Sequence, residues 1–274
     1  MGNRKRFSEA TTMQFPKVVL VTGAAGGIGR ACAQAVHAQN RLADVLVLAD
    51  QDVAGLAELA KELTGRHVIA VPTDVSDPES VDILFTLIAE RPEPLGAVIH
   101  AAGVLATGSA LQAGFSVWRR TMAVNADGTF LVVTSAARML MDSPAPNKAM
   151  VLIGSNAAGV PRAAMPIYSA SKAAAAALLR CVGLELAPHG IRANTVCPGS
   201  TNTAMQRDFW GDDPAAGEQS VLDGDLAQFR VGIPLGRMAE PEDIANTAAF
   251  LLSGQARHIT MQDIYVDGGA TLRA

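Results

Sequence analysis

The sequence predicts an α/β fold in which helices cover both faces of a parallel sheet. Three observations carry that prediction. Short, wholly apolar runs alternate with stretches of helical periodicity, the βαβα order of a doubly wound sheet. The first run, Val18 to Val21, feeds a glycine-rich turn and then an amphipathic helix to about Gln39. The 274 residues are 49% hydrophobic and 18% charged, and no repeat, low-complexity linker or shift of composition divides them. One domain over residues 16–274 is expected.

Residues 1–15 read as a disordered tail. They are basic but lack the apolar stretch of a secretory leader, and Arg6 stands where a myristoylation motif beginning at Gly2 needs Ser or Thr. After the first strand, Thr22-Gly23-Ala-Ala-Gly26-Gly27-Ile28-Gly29 is either a phosphate cradle or an ordinary tight turn. Glycines at Gly23, Gly27 and Gly29 let a backbone approach a pyrophosphate, and the helix behind them supplies N–H groups and positive dipole. The strand Val45 to Ala49 ends at Asp50. A carboxylate there accepts both ribose hydroxyls of NAD and repels a 2′-phosphate, or caps the helix that follows over residues 52–64. Arg30, the first basic residue of the turn, follows its last glycine, so NAD is favoured over NADP.

Val68 to Val71 is a strand leading to Asp74 and Val75, and residues 78–90 are a helix. Asp74 either contacts the adenine or caps its own turn. Val98 and Ile99 lie in the fourth strand, and the small residues of His100-Ala101-Ala102-Gly103 leave room for a cofactor across its end. Residues 115–140 are helical, with Asn125 on the apolar face, where a buried amide needs partners. Met150 to Ile153 is a strand ending at Gly154 and Ser155. A loop with Pro161 and Arg162 follows, then a helix bearing Tyr168 and Lys172. Its alanines, residues 173–177, suit a subunit contact. Ala193 to Cys197 is a sixth strand, ending at Pro198 and Gly199. Residues 201–235, holding Met205 and Trp210, read as a substrate lid at the carboxyl ends of the strands. A helix over Pro241–Leu252 and a strand over Ile264–Val266 complete the chain.

Tyr168 and Lys172 are four apart, so they share a helix face and bring an ammonium beside a phenol. A free tyrosine, with a pKa near 10, is a poor base at neutral pH. A cation at about 4 Å in an effective dielectric of about 20 contributes roughly 4 kcal/mol, about three pKa units of help to the phenolate. Ser155, at the end of a neighbouring strand, can hydrogen-bond an oxygen on which charge develops. The plain alternative is a half-buried Tyr168 and a solvated Lys172.

Composition narrows the partners. The net charge of −4 and the low aromatic content, 4%, argue against nucleic acid. Cys32, Cys181 and Cys197 are widely spaced and form no ligand pair, which reads as reduced, buried thiols of a cytoplasmic protein. The histidines show no metal-ligand spacing. No uninterrupted run of membrane-spanning length is expected.

Together, Thr22-Gly-x-x-x-Gly-Ile-Gly29, Asp50, Asp74-Val75, Asn125, Ser155, Tyr168-x-x-x-Lys172 and Pro198-Gly199 resemble the fingerprint of the short-chain dehydrogenase/reductase family over residues 16–274. That resemblance implies a Rossmann-type fold, NAD held by Gly23, Gly27, Ile28, Gly29, Asp50, Asp74, Val75, Ala102, Gly103, Tyr168, Lys172, Pro198, Gly199, Thr201 and Thr203, and a homotetramer. In the second half, residues 160–165, 198–207, 232–236 and 258–264 look like the subgroup that oxidises 2,3-dihydro-2,3-dihydroxybenzoate in catechol siderophore biosynthesis. His100 departs from both patterns, since the wider family has Asn there and a second Asn at Ala101.

The resemblance implies that Tyr168 takes the proton of a ring hydroxyl while hydride leaves the same carbon for NAD. Lys172 lowers the Tyr168 pKa and holds the nicotinamide ribose, Ser155 orients the hydroxyl, and Asn125 anchors a water chain for the proton. The substrate would be a cyclohexadiene carboxylate. Arg162 is the expected partner of the carboxylate, with Arg207 in reserve, and Leu105, Thr107, Ala164 and Met205 are expected over the ring. Two other readings stand beside this one: a dehydrogenase of the 2-amino analogue, giving 3-hydroxyanthranilate, and a non-catalytic NAD-binding scaffold on the same fold.

Overall fold

Seven parallel strands form one sheet in the order β3-β2-β1-β4-β5-β6-β9. A computed structural model of the chain describes residues 18–39, 42–65, 67–208, 210 and 213–272; the expected tail over residues 1–15 lies outside them. The first half is β1 (Val18–Thr22), α1 (Gly27–Ala38), β2 (Val45–Asp50), α2 (Val53–Glu62), β3 (His67–Pro72), α3 (Pro78–Ala89) and β4 (Leu95–His100). Then come α4 (Phe115–Met122), a π-helical turn (Ala123–Asp127), α5 (Gly128–Asp142), β5 (Ala149–Ile153), α6 (Pro166–Leu186) and β6 (Arg192–Pro198). The lid stretch holds α7 (Ala204–Arg207), α8 (Pro214–Asp223) and a small antiparallel pair, β7 (Gly224–Asp225) and β8 (Arg230–Val231). The chain closes with α9 (Pro241–Leu252) and β9 (Asp263–Val266).

The apolar runs form strands because both of their faces are covered. Val19, Val21, Leu46, Leu48, Val151 and Ile153 point to one core, shared with α1, α2 and α9. Val18, Leu20, Val45, Val47, Met150 and Leu152 point to the other, shared with α3, α5 and α6. This is the period-2 alternation of a strand, with no polar side to expose. Only the edge strand β3 is substantially exposed, and it ends in Pro72, which the sheet tolerates at an edge.

The single helix expected over residues 115–140 is two helices joined by the π turn around Asn125. Two expectations about α6 need correction. The helix over Pro166–His189 is long and apolar enough to cross a membrane by length and composition. Its apolarity has a local cause, for Ala175, Leu179 and Leu186 pack in the second core and a Cβ on Gly183 would lie 3.2 Å from that of Ala193. Of the alanines over 173–177, Ala175 and Ala176 turn inward and are buried, which leaves Ala174 and Ala177 exposed. The larger outward apolar side chains are Phe115, Trp118 and Phe130 on α4 and α5.

Candidate active site

The sheet order reverses direction between β1 and β4, and a cleft of about 480 Å³ opens there at the carboxyl ends of the strands. Crevices form at such points because neighbouring connections leave in opposite directions. The cradle at its floor requires glycine. Gly23 has φ +67°, and a Cβ on it would lie 2.5 Å from the Ala102 nitrogen; one on Gly29 would lie 1.9 Å from the Gly23 oxygen. Gly26 begins α1 with no side-chain cap, so the N–H groups of the first turn remain available to an anion. On the far side a Cβ on Gly27 would sit 2.7 Å from Thr203 Cγ2.

Asp50 accepts hydrogen bonds from the Ala25 and Asp52 nitrogens, both at 3.0 Å. The cap of α2 is Asp52, whose carboxylate accepts from the Gly55 nitrogen, so the capping alternative does not apply to Asp50. Arg30 is paired with Glu62 on α2 and is absent from the cleft wall. Asp74 accepts from the Ser76 nitrogen and hydroxyl, so it does secure its own turn, while still lining the cleft. Ile28, Val75, Ala102, Gly103, Pro198, Gly199, Thr201 and Thr203 share that wall. A narrow floor that no Cβ can occupy, uncapped helix donors and a carboxylate at the end of β2 fit a dinucleotide.

Ser155, Tyr168 and Lys172 meet at the inner end of the cleft. Gly154 lets β5 pass close to β6, since a Cβ there would lie 2.5 Å from Thr195 Cγ2. Ser155 then adopts an extended backbone, and its hydroxyl accepts from the Ala157 nitrogen at 3.1 Å. Lys172 is buried, and its ammonium donates to the Ile153 oxygen at 3.0 Å. The helical spacing places this ammonium over the face of the Tyr168 ring, 6.0 Å from the centroid. Burial raises the Tyr168 pKa, the Ser155 hydroxyl opposes that rise, and the Cys197 thiol adds to it. Burial also lowers the Lys172 pKa to about 8. The acidification of Tyr168 expected from its lysine is thus opposed by desolvation, the largest influence on both groups.

Asn125 stands behind the cleft wall. Its Oδ1 accepts from the Val104 nitrogen at 2.8 Å, and its Nδ2 donates to the Val104 oxygen and Ser171 Oγ, both at 2.9 Å. Ser171 Oγ in turn donates to the main-chain carbonyl oxygen of Tyr168 at 2.7 Å. These bonds occupy the amide that the sequence reading assigned to a water chain. They fix the loop after β4 to the tyrosine helix. Gly103 lies between the two groups, for a Cβ there would be 3.0 Å from Lys172 Nζ and 3.2 Å from Asn125 Oδ1.

His100 completes the support. Its Nδ1 lies 2.6 Å from Thr22 Oγ1 and its Nε2 3.1 Å from Thr129 Oγ1. Thr129 spends its one hydroxyl proton on the Asn125 carbonyl oxygen, at 2.6 Å, so it accepts from His100. The ring is thus the neutral tautomer protonated on Nε2, and burial, followed by the Lys172 charge, lowers its pKa to about 3.

On the substrate side, Leu105, Arg162 and Met205 line the cleft. Thr107 and Ala164 do not; the Gly108 nitrogen donates to the Ala164 oxygen at 2.7 Å, which ties the two loop tips together and leaves both side chains exposed. Arg207, bonded to Asn202, is also outside the wall. Sequence reasoning missed Arg230, Val221 and Ile233, which the lid brings in. Arg230 stands between Phe229 and Val231, and a basic residue between two apolar ones in a polar stretch was the available signal.

Residues 23–271 match the family model described as Enoyl-(Acyl carrier protein) reductase. The chain is 41% identical over 258 residues to 2,3-dihydro-2,3-dihydroxybenzoate dehydrogenase of Bacillus subtilis (strain 168), covering 93% of this chain and 96% of the relative. It is also 41% identical over 258 residues to the enzyme of the same name from Escherichia coli (strain K12), covering 94% and 98%. A solved short-chain type dehydrogenase/reductase from Mycobacterium ulcerans superposes with a TM-score of 0.82 at 28% identity, over 95% of this chain and 92% of that one. With likeness of this extent in both sequence and fold, the chain belongs to the short-chain dehydrogenase/reductase family.

Proposed function

We propose that this enzyme oxidises 2,3-dihydro-2,3-dihydroxybenzoate to 2,3-dihydroxybenzoate with NAD. The observation that carries the reading is one cleft holding Ser155, Tyr168 and Lys172 at its inner end and, nearer the lid, the Arg162 guanidinium, which has no hydrogen-bond or ion-pair partner among the described residues. Relatives of that name, alike over nearly the whole chain, support it. NAD rather than NADP is favoured because Asp50 stands at the end of β2 while Arg30 is held by Glu62.

When bound, NAD supplies a hydride acceptor against the inner end of the cleft. The N–H groups at the start of α1 would hold its pyrophosphate, Asp50 the adenosine ribose, and Lys172 the nicotinamide ribose. Ser155 holds the reacting hydroxyl, and Tyr168 Oη takes its proton as the carbon gives up hydride. The product of that step is a ketone. The ketone then tautomerises, a ring carbon giving up its proton while the carbonyl oxygen gains one, and the aromatisation that yields the catechol makes the sequence effectively one-way. Residues 201–235 act as a lid of the single domain. A homotetramer and a cytoplasmic location complete the proposal, the latter supported by three free thiols, of which Cys32 and Cys197 are buried and Cys181, against expectation, is exposed on the outer side of α6.

Turnover of the dihydrodiol with NAD and with NADP tests this directly. NADH formation with at least a tenfold preference for NAD in kcat/KM is expected, with loss of turnover but retained NAD binding in Tyr168→Phe. No turnover of the dihydrodiol, or equal use of both cofactors, would overturn the corresponding part.

A further inference from the structure

We infer that Arg230 is a second specificity-determining residue, which together with Arg162 forms a guanidinium pair for the carboxylate of a small ring acid. The inference rests on the reading of this cleft as the substrate site, and it assigns to the lid a part of the recognition that the fingerprint does not contain.

Three basic side chains reach the cleft: Lys172, Arg162 and Arg230. Lys172 is engaged with the Ile153 oxygen at the inner end. Arg162 arrives on the loop between β5 and α6 and forms no hydrogen bond or ion pair through its guanidinium among the described residues. Arg230 arrives from the opposite side, on β8. The short pairing with β7 fixes its backbone, and its Nη2 donates to the Ser220 oxygen at 3.0 Å and to Ser220 Oγ at 3.3 Å. Its Nε is buried and has no partner among the described residues. A buried, unpaired donor of a charged group costs free energy until a ligand satisfies it.

The two guanidiniums act on one another. Burial and then the charge of Arg230 hold the Arg162 pKa below its usual value, while Asp267 works the other way. Asp267 is nearly spent, since its carboxylate accepts from Asn156 Nδ2, the Gly269 nitrogen, the Thr271 nitrogen and Thr271 Oγ1. Two cations against one occupied carboxylate leave a single positive charge unmatched in a half-buried cleft. One carboxylate matches that surplus, and a guanidinium meets it through parallel N–H bonds.

The surroundings select what carries the carboxylate. Val221 and Ile233 are buried in a small lid cluster, and both line the cleft beside Met205 and Ala270. A charged end against apolar walls fits a compact ring with one acidic group better than a phosphorylated or polyhydroxylated ligand, whose further polar groups would lie unpaired on those walls.

The test uses the full-length enzyme saturated with NAD. Isothermal titration measures benzoate, which has the ring and the charge without the reaction, against benzamide, which has no charge. The wild type is expected to bind benzoate at least tenfold more tightly than benzamide. Arg230→Met and Arg162→Met should each lose at least tenfold for benzoate, leave benzamide unchanged and bind NAD as before; Arg230→Lys should recover part of the loss. In turnover, Arg230→Met should raise KM for the dihydrodiol acid at least tenfold and change it little for the methyl ester. If the wild type does not turn over the dihydrodiol but its benzoate binding falls tenfold in Arg230→Met, the guanidinium pair stands and the proposed substrate fails. Benzoate binding unchanged in Arg230→Met, or no preference for benzoate over benzamide in the wild type, overturns the inference.

Discussion

At the scale of single residues, the site works against the ordinary chemistry of its own groups. Burial pushes the Tyr168 phenol up and the Lys172 ammonium down to about 8, so the lysine is the readier of the two to lose a proton. The reactive form, phenolate beside ammonium, carries the same number of protons as phenol beside amine. The pair therefore titrates as a unit. As pH rises through about 8 the pair sheds its first proton, and kcat/KM for oxidation should climb about tenfold per pH unit below that point and level above it. In Lys172→Met the limb should move to higher pH, because the tyrosine must then ionise alone. A profile flat from pH 6 to 9 in the wild type contradicts this account. Asp50 and the Tyr168–Lys172 spacing were legible in the sequence because side-chain chemistry and helix periodicity suffice to place them. The direction of the Tyr168 shift was not, since it depends on desolvation that no spacing reveals.

His100 belongs to the same scale and shows the opposite case, a residue whose identity gave no role but whose bonds do. It links Thr22 of β1 to Thr129 of α5, and through Thr129 reaches the Asn125 carbonyl. The folded ring has its pKa lowered to about 3, against an ordinary value of 6.5. A base with a depressed folded pKa binds fewer protons folded than unfolded between those values. Its contribution to stability is complete above about pH 6.5 and drains away as pH falls toward 3. Between pH 6.5 and 5 the loss from this group alone is about 2 kcal/mol. Urea unfolding at pH 7 and pH 5 should show that loss in the wild type and a much smaller one in His100→Asn. Equal pH dependence in both proteins would remove His100 from the account.

At the scale of elements, α4, the π turn and α5 act as one strut with a deliberate irregularity. A π turn widens the helix by one residue and presents groups that a regular α-helix would bury in its own ladder; such turns gather at functional sites. Here it delivers the Asn125 amide to Val104 and Ser171, so the loop after β4 and the tyrosine helix share one anchor. Helical periodicity through 115–140 and a buried Asn were legible, but periodicity carries no mark of a single inserted residue. The lid is the other element only partly legible. Its length and composition announced a cover over the strand ends, yet its two-residue strands, β7 and β8, are too short for alternation to register, and with them Arg230 escaped notice. The glycine turn was fully legible, because its glycines answer to backbone clashes within a few residues and across one strand.

At the scale of the whole molecule, the outer face of α4 and α5 is the feature that a single chain leaves unexplained. Both helices send their inner faces to the core or the site, yet Phe115 is 72% exposed and Phe130 51%, with Val117 and Trp118 nearby on α4. Large aromatic groups left exposed along one helical strut are of the kind that mark association. Of the alanines of α6, which the sequence suggested as the contact, Ala175 is held in the second core and Ala176 is buried, which leaves Ala174 and Ala177 outward. Helix faces that pack across a two-fold axis meet their own copies, so a charge added there confronts the same charge on the partner and is repelled. Phe130→Glu should therefore separate subunits while the sheet, its two cores and the cleft remain intact. Light scattering at micromolar concentration should give a mass near four times the 28.4 kDa of one chain for the wild type and a smaller assembly for Phe130→Glu. The paired control, Leu184→Glu, places a charge at an exposed position of α6 and should leave the mass unchanged. A wild-type mass of one chain ends the proposed tetramer, and an unchanged mass in Phe130→Glu moves the contact off this face.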